Sequence, residues 1–288
     1  MKKVVVLVGP TASGKTKNSI LLAKEINGEV INGDSVQVYN ELNIGSAKIT
    51  KEEMEGIPHH LFNMLSAKET YSVYNFQQDA RKLIEEIDQP IIVGGTGFYI
   101  KAALYDYEFN DENKAELLSF DELSNEELYE RILEVDPLIK IDKNNRVRLV
   151  RAYNLALSGN LRSEKTSKNV PLYDVLTIYL DIDRQVLKTI LIDRLDIMIE
   201  NGFLDEVKML RENDIHLNTI GYRELDLYLE GKYTMDEAKA EIIRTSVKLA
   251  KKQKTWFLNQ MDAIPFDPLD ENVSSKIIEK VKTFLNED

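Results

Sequence analysis

Residues 9–16 constrain the fold of this chain more than any other segment, because they read Gly-Pro-Thr-Ala-Ser-Gly-Lys-Thr. They form a complete G-x-x-x-x-G-K-[ST] pattern that follows the apolar run Val4 to Val8 and precedes the helix-like stretch Lys17 to Ile26. In such a loop the glycines permit a tight turn, and the successive amide groups and the N-terminus of the next helix point at an anion. The pattern predicts a strand, a loop and a helix that bind a diphosphate or a triphosphate, without specifying a nucleotide.

The predicted phosphate-binding residues are contiguous: Gly9, Pro10, Thr11, Ala12, Ser13, Gly14, Lys15 and Thr16. Lys15 would supply a positive charge to the phosphate oxygens. The Thr16 hydroxyl suits Mg²⁺, which we expect as the cofactor.

Three further segments read as strands. Glu29 to Asn32 runs into Asp34, Pro90 to Val93 stops at the glycine-rich turn that holds Thr96, and Val175 to Leu180 alternates like a fourth strand. Strands that alternate with helices imply a parallel sheet that binds ligands at the carboxyl ends of its strands. We therefore predict an α/β fold, a P-loop NTPase-like parallel sheet core flanked by helices, with Asp34, Thr96 and the loop at one edge.

The strand signal disappears between Leu104 and about Asn169, where helical patterns take over. Residues 124–127 read Ser-Asn-Glu-Glu, a capping box that begins a helix. An apolar stripe follows at Leu128, Ile132 and Val135. We interpret residues 105–169 as a helical insertion domain in a core formed by residues 1–104 and 170–288.

The C-terminal part also reads as helical. Asp183 to Arg211 predicts one long helix or two, and Thr234-x-x-Glu237 is a second capping box. Four apolar residues of the helix that it begins fall near one face: Ala238, Ile242, Leu249 and Trp256.

Composition excludes several classes of protein. The chain has 288 residues and no cysteine, so it forms neither a disulfide framework nor a thiolate metal site. No apolar run is long enough to span a bilayer, and we expect a cytoplasmic protein with no signal peptide and no membrane contact. The formal net charge of −12 argues against a protein that coats nucleic acid indiscriminately, although a local basic face can still bind it.

The charges are segregated along the chain. Residues 111–130 carry eight acidic side chains, whereas residues 140–168 carry eight basic and two acidic ones. The basic residues of this second segment are Lys140, Lys143, Arg146, Arg148, Arg151, Arg162, Lys165 and Lys168. A further basic stretch, Arg244 to Lys254, contains no acid. Charge runs of this kind either form a binding face or are solvated helix surfaces.

Several long motifs, spread over nearly the whole chain, resemble those of the tRNA dimethylallyltransferases, the IPP transferase family. They occur in the family's order: Asp34 to Tyr39, Asn43 to Lys48, Pro58 to Leu61, Tyr71 to Val73, Gly94 to Tyr99, Gly221 to Glu224, and Ala250 to Trp256. The resemblance implies transfer of a dimethylallyl group from dimethylallyl diphosphate to N6 of the adenosine at tRNA position 37, in tRNAs that read codons beginning with U. The products would be N6-isopentenyladenosine and diphosphate.

The resemblance also implies partners and an organisation. In that family the P-loop holds the prenyl diphosphate, and the helical insertion grips the anticodon stem-loop of tRNA. We expect this chain to act as a monomer on these two substrates.

Asp34 is the candidate general base. An exocyclic adenine amine is a poor nucleophile because its lone pair is delocalised into the ring, so a carboxylate that accepts its proton helps the attack. The alternative is that Asp34 is an indirect Mg²⁺ ligand. On the leaving-group side, Lys15, the loop amides and Thr16 with Mg²⁺ would stabilise the charge that accumulates on the diphosphate.

Two further residues take catalytic roles from the resemblance. The family's equivalent of Thr96 approaches the reacting amine or the diphosphate, although its hydroxyl could instead cap the next helix. Arg194 occupies the family's Arg-x-x-x-Met position and should contact the diphosphate through its guanidinium fork. An exposed helix arginine is the ordinary alternative.

The tRNA-binding prediction combines the strand ends with the insertion. Duplex RNA hides the target base, so the enzyme takes adenosine from an unpaired loop and pulls it out of its stack. The predicted tRNA-binding residues are Asp34, Ser35, Val36, Gln37, Thr96, Arg148 and Arg151. Gln37 can both donate to and accept from an adenine edge, and Tyr39 either stacks on a base or belongs to the core. A metal site at His59 and His60 is disfavoured, since adjacent side chains point apart and no third ligand is evident.

The chain departs from the family pattern at several positions. The family's acid three residues before Arg148 is Asn145, and the glutamate usual after Arg151 is Asn154. The family's Thr-Arg pair near the C-terminus appears as Ser246-Val247, and Lys252 stands at a later arginine position. The stretch after Phe109 is short and lacks an arginine that the family usually carries there.

Two other classes of function stay open from the residues. One is a P-loop isopentenyltransferase acting on free adenine nucleotide, or a small-molecule kinase, which needs no stem-loop grip. The other is a P-loop binding module without turnover, against which the intact Lys15, Thr16, Asp34 and Thr96 count.

Overall fold

A parallel sheet forms the centre of the computed structural model, which describes residues 1–109, 118–164 and 169–287. Its strands are β1 (Lys3–Val8), β2 (Glu29–Gly33), β3 (His59–His60), β4 (Pro90–Gly94), β5 (Asp174–Leu180) and β6 (Ile264–Phe266). They lie in the order β3-β2-β4-β1-β5-β6, and every neighbouring pair is parallel. The predicted fold class and the four predicted strands are confirmed.

The sequence did not indicate β3 and β6. They are two and three residues long, so neither shows an alternation that could be read. Each forms one edge of the sheet by pairing with the strand next to it, β3 with β2 and β6 with β5. Strand β1 lies between β4 and β5, and its residues Val4 to Val8 are at most 1% exposed. This burial on both faces explains the continuous apolar run in the sequence.

Ten helices lie within the described residues. They are α1 (Lys15–Ile26), α2 (Val73–Glu86), α3 (Gly97–Leu104), α4 (Asn125–Val135), α5 (Arg146–Leu157), α6 (Arg184–Glu200), α7 (Phe203–Glu212), α8 (Tyr222–Leu229), α9 (Met235–Gln260) and α10 (Val273–Asn286). The segment from Asp183 to Arg211 forms two helices, α6 and α7, because Gly202 between them adopts a left-handed φ of 98°. No helix within these residues combines the length and the hydropathy needed to cross a membrane.

The capping box at Thr234 is confirmed, since its side chain accepts a hydrogen bond from the backbone N–H of Glu237 at the start of α9. Ala238 and Ile242 on this helix are buried, as the apolar stripe predicts. Leu249, on the same face of the helix, is 44% exposed. This leucine borders a cleft instead of the core.

Contacts divide the chain into two compact units, one formed by Met1–Leu104 with Pro171–Asp288 and the other by Tyr105–Val170. The second unit contains α4 and α5. The predicted capping box at Ser124 is present, and five buried residues form the core of this unit: Leu128, Ile132, Ile139, Leu149 and Ala152. Val135, predicted to extend the stripe, is 40% exposed because α4 ends there and the chain leaves the helix at Asp136.

Candidate active site

The phosphate-binding loop connects β1 to α1, as the motif predicts. Gly14 adopts a left-handed φ of 82° at the start of α1, and no side chain caps the helix there. A Cβ on Gly9 would lie 2.8 Å from the Ser13 Oγ and 3.1 Å from the Leu180 Cβ, so the turn requires glycine. The Ser13 hydroxyl also donates to the Pro10 carbonyl at 2.8 Å. The first amides of α1 are thus left to an anionic ligand.

Lys15 lies over this loop. Its ammonium donates to the carbonyl oxygens of Gly9 at 2.9 Å and Pro10 at 2.7 Å. Burial lowers the pKa of Lys15 to about 8, with Asp34 opposing the shift and Arg194 adding to it. The side chain is still mainly protonated at neutral pH, as a group that meets a diphosphate requires.

Asp34 follows the end of β2, and its turn is braced by Asn32. The Asn32 side chain accepts from the backbone N–H of Asp34 at 2.9 Å and donates to the carbonyl oxygens of Asp34 at 3.0 Å and Leu61 at 2.9 Å. The Asp34 carboxylate accepts from the Val36 amide at 2.9 Å. Burial raises the pKa of Asp34, while the Val36 amide and Lys15 act in the opposite direction. A carboxylate with a raised pKa is a stronger proton acceptor.

Thr96 lies beside Asp34 because β2 and β4 end together. Gly33 and Gly94 are register partners, and a Cβ on Gly94 would lie 2.2 Å from the Gly33 carbonyl carbon. The Thr96 hydroxyl accepts from the Ser35 amide at 3.1 Å and lies 3.3 Å from the Ser35 hydroxyl. These bonds attach the Thr96 turn to the residue that follows Asp34.

Arg194 reaches the same place from α6. It lines a cleft of about 730 Å³ together with Lys15, Thr16, Asp34 and Gln37. Burial lowers the pKa of Arg194, with Glu53 opposing the shift, and a guanidinium still stays charged at neutral pH. The sequence also allowed Arg194 to be an ordinary exposed helix arginine, and this half-buried position does not fit that interpretation.

A narrower cleft of about 170 Å³ adjoins the first and shares Lys15, Asp34 and Arg194 with it. Its other walls are largely apolar side chains: Val36, Leu187, Leu191, Leu195, Met198, Phe203, Ile220, Ile242, Ile243, Leu249 and Ala250. The site therefore has a polar side and an apolar side, which meet at a carboxylate and two cations.

A family model described as IPP transferase matches residues 37–260. A tRNA dimethylallyltransferase of Acholeplasma laidlawii (strain PG-8A) is 50% identical over 285 residues, which cover 99% of this chain and 99% of that protein. The chain belongs to the IPP transferase family.

Solved structures agree with this family assignment. A tRNA isopentenylpyrophosphate transferase of Staphylococcus epidermidis is 36% identical with a TM-score of 0.75, and the match covers 100% of both chains. A eukaryotic dimethylallyltransferase acting on tRNA has a TM-score of 0.87 at 28% identity, and the match covers 99% of this chain and 80% of that one.

Three of the residues at which this IPP transferase departs from the family pattern have structural roles. Asn145 caps α5, because its side chain accepts from the Arg148 amide at 3.2 Å. The Asn154 side chain accepts from the Leu118 amide and donates to the Leu118 carbonyl, both at 3.0 Å. Val247, where the family carries arginine, is 7% exposed within the core around α9. An apolar side chain suits that position.

The unit formed by Tyr105–Val170, called the insertion unit below, contains the basic segment 140–168. The basic side chains of this segment lie in different environments. Arg148 and Arg151 are exposed on α5. The Arg146 guanidinium instead donates to the carbonyl oxygens of Leu123 and Phe120 and so supports the fold of its own unit. Lys165 and Lys168, like the acidic Asp111, Glu112 and Glu116 and the stretch that directly follows Phe109, lie outside the described residues.

His59 and His60 have separate partners. His59 Nδ1 lies 2.8 Å from the Ile57 carbonyl, and His60 Nε2 lies 2.6 Å from the Glu29 carboxylate. No group of three or more histidine, cysteine or acidic side chains among the described residues could hold a metal ion.

Tyr39, for which the sequence leaves a stacking role and a core role open, is partly buried and packs against the core around α6 to α9.

Sequence reasoning missed two polar residues that shape the site. Asn32 braces Asp34, and its signal was a polar residue directly after the apolar pair Val30 and Ile31. Glu206 on α7 is buried and bonds to the segment that follows Asp34. In the sequence it resembles any acidic residue near the start of an amphipathic helix, so nothing marked it.

Proposed function

We propose that this protein transfers the dimethylallyl group of dimethylallyl diphosphate to N6 of adenosine 37 in the anticodon loop of tRNAs that read codons beginning with U. The observation that carries the proposal is the meeting of Lys15, Asp34 and Arg194 where the two clefts adjoin. A proton acceptor and two cations at one point suit a reaction in which an amine loses a proton while a diphosphate leaves.

The bond changes follow from these groups. The N6 lone pair attacks C1 of the prenyl group, the C1–O bond to the diphosphate breaks, and its electron pair leaves with the diphosphate. The Asp34 carboxylate accepts the proton that N6 releases. Its raised pKa and the Val36 amide bond both favour this role, because the first makes it more basic and the second holds it in place.

The departing diphosphate gains negative charge opposite Lys15, Arg194 and the backbone amides at the start of α1. Donors that are already oriented stabilise this charge more in the transition state than in the ground state. The guanidinium of Arg194 suits a group with several oxygens because it presents parallel N–H donors.

Mg²⁺ fits this site as an ion that enters with the diphosphate. Mg²⁺ commonly takes one or two protein ligands and completes its shell with phosphate oxygens and water. Thr16, which lines the larger cleft, would hold it through its hydroxyl. When bound, the ion neutralises part of the diphosphate charge.

The two clefts divide the substrates in this proposal. The apolar cleft accepts the five-carbon prenyl chain, because its walls are leucine, isoleucine and methionine side chains next to the cations. The polar cleft, which contains Gln37, accepts the extruded adenine. Arg148 and Arg151 on the insertion unit bind the RNA backbone, and Thr96 and Ser35 shape the turn beside the amine.

The test incubates the protein with Mg²⁺, labelled dimethylallyl diphosphate and an anticodon stem-loop that carries adenosine at position 37. We expect label to enter the RNA without ATP. Parallel reactions contain free AMP in place of RNA, or labelled ATP in place of the prenyl donor. Phosphoryl transfer from ATP without prenyl transfer would contradict the proposal, and prenylation of AMP alone would point to the free-nucleotide enzyme.

We further propose that the enzyme works as a monomer in the cytoplasm, where its tRNA substrate is found. Size-exclusion chromatography with light scattering, with and without the stem-loop, tests the first part. A dimer that persists at assay concentrations would contradict it.

A further inference from the structure

The segment from Asp34 to Lys48 forms much of the wall of both clefts, yet it contains no helix and no strand of the central sheet. Gln37 and Ser46 border the larger cleft, and Gly45 and Ser46 border the apolar one. Without regular secondary structure, the position of this wall depends on the side chains that bond to it.

Glu206 on α7 makes the densest set of these bonds. Its Oε2 accepts from the backbone N–H groups of Asn43 at 3.0 Å and Ile44 at 2.8 Å, and its Oε1 accepts from that of Gly45 at 3.0 Å. The Tyr222 hydroxyl donates to Oε1 at 2.7 Å. A buried carboxylate is costly unless it is hydrogen-bonded, and bonds from amides to a charged acceptor are about twice as strong as neutral ones. Three successive amides are thus held by one side chain.

Packing also fixes the position of Gly45. A Cβ on Gly45 would lie 2.1 Å from Cε2 of Phe203 and 2.5 Å from Cζ of Tyr222. The segment therefore rests directly on two aromatic rings, which are themselves in T-shaped contact with centroids 5.1 Å apart. The bonds to Glu206 and this contact fix both the direction and the depth of the wall.

The segment held by Glu206 also bonds to a side chain inside the cleft. Ser46 follows Gly45, and its backbone carbonyl accepts from the side-chain amide of Gln37 at 3.0 Å. The Ser46 hydroxyl donates to the Leu42 carbonyl at 2.6 Å, which closes the turn around residues 43–45. The orientation of the Gln37 amide is thereby set through residues 43–46 by a carboxylate on α7.

We propose that Glu206 is a positioning residue for the acceptor adenosine. In this role it contacts no substrate and acts through Gly45 and Ser46 on Gln37, which lines the cleft proposed for the adenine. The proposal rests on the function proposed above for this cleft. It predicts that loosening Glu206 impairs the use of RNA while the phosphate-binding loop, held by its own bonds between residues 9 and 16, keeps its affinity for diphosphate.

The test compares Glu206→Gln with Asp226→Asn. A glutamine has one acceptor oxygen, and its NH₂ group would face backbone donors, so at least one amide of the segment loses its partner. Asp226 on α8 is the matched control, because its carboxylate also bonds two side chains of the C-terminal part, Arg211 on α7 at 2.6 Å and His216 in the connection between α7 and α8 at 2.9 Å. Neither partner belongs to residues 34–48.

We expect both variants to melt at a lower temperature than the wild type. Glu206→Gln alone should lower kcat/KM for the stem-loop by about 10- to 100-fold, since a small displacement of a positioning group has effects of that size. Affinity for inorganic diphosphate should stay within about twofold for both variants. Glu206→Ala should lose more activity than Glu206→Gln.

Hydrogen exchange at the amides of Asn43, Ile44 and Gly45 gives a readout that needs no activity. Glu206→Gln should reduce their protection, and Asp226→Asn should not. Unchanged RNA kinetics together with unchanged protection in Glu206→Gln would overturn the proposal, as would a parallel loss of diphosphate affinity, which indicates a general structural role. Wild-type protein that transfers no prenyl group would overturn the proposed function instead, while the exchange data still report on Glu206.

Discussion

The unit that contains the phosphate-binding loop, Met1–Leu104 with Pro171–Asp288, and the insertion unit differ in how far their charged residues are buried. Around the cleft, Lys15, Asp34 and Arg194 are partly buried, and burial shifts the pKa of each. On the insertion unit, Arg148 and Arg151 are exposed on α5, above a small core that includes Leu149 and Ala152. In the proposed function, the charges that take part in the chemistry are thus desolvated and come from several elements of the fold, whereas the charges that would bind RNA need only a stable helix.

This difference has a functional reason. A transition state is stabilised by groups that are already oriented, and desolvation strengthens their electrostatic effect. A phosphate backbone is bound by charge that can move with it, and such binding is screened by salt. The two units should therefore fail differently when single residues are changed.

The largest effect is expected for Asp34→Asn. The change keeps the shape of the side chain and removes the proton acceptor, so turnover should fall by about 10² or more. Stem-loop binding should remain nearly intact, because the loss falls on the transition state. Single-turnover kinetics and a filter-binding assay measure the two quantities. Near-normal turnover at saturating Mg²⁺ would return Asp34 to the role of an indirect metal ligand.

Lys15→Ala should follow, with a fall in turnover of about 10² and a weaker affinity for dimethylallyl diphosphate. Both fall because the ammonium meets the diphosphate before and during its departure. Isothermal titration with inorganic diphosphate measures the binding part. Lys82→Ala, at an exposed lysine of α2 that lines neither cleft, is the control and should leave both quantities unchanged. Equal losses in the two variants would remove the special role of Lys15.

The pH dependence of kcat/KM should show the titration of both Asp34 and Lys15. Asp34 acts as a base when deprotonated, so kcat/KM should rise with pH through a pKa above the usual value for aspartate. Lys15 acts when protonated, and its pKa of about 8 predicts a fall above that pH. The fall should approach about tenfold per pH unit, since one proton is lost. A profile that stays flat from pH 7 to about pH 10 would contradict the assignment of the alkaline limb to Lys15.

Lys15→Arg sharpens this test. An arginine stays charged throughout this range, so the alkaline limb should disappear from whatever activity remains. A limb that persists near the same pH must belong to another group.

The smallest effects are expected in the insertion unit. Changing Arg148 and Arg151 together to glutamine should weaken stem-loop binding and leave affinity for dimethylallyl diphosphate unchanged. Each lost phosphate contact should remove about 0.7 to 0.9 from the slope of log K against log salt, so the double change should be resolvable. Arg131→Gln, an exposed arginine of α4 outside the basic segment, is the control for charge alone. An unchanged slope in the double variant would make this face a solvated helix surface and direct attention to Arg244 to Lys254.

Local patterns in the sequence predicted much of the fold. The phosphate-binding loop, the four main strands and the capping boxes at Ser124 and Thr234 depend on residues within a few positions of one another, which is the range that periodicity and turn chemistry cover. The same patterns did not show which apolar side chains are buried where neighbours in space decide it. Val135 and Leu249 continue apolar stripes yet are exposed, because the chain turns away from α4 at one and a cleft opens beside the other.

For the site, the sequence by itself determined which chemical groups are present and where strands end, so Lys15, Asp34 and Thr96 could be placed at one edge of the sheet. Tertiary structure decided what surrounds them. The lowered pKa of Lys15 arises from burial and, to a smaller extent, from the charge of Arg194 on α6, and the wall beside Asp34 takes its position from Glu206 on α7. Such contacts join residues far apart in the chain, and their energy depends on desolvation and on geometry within a few tenths of an ångström, which no spacing in a sequence encodes.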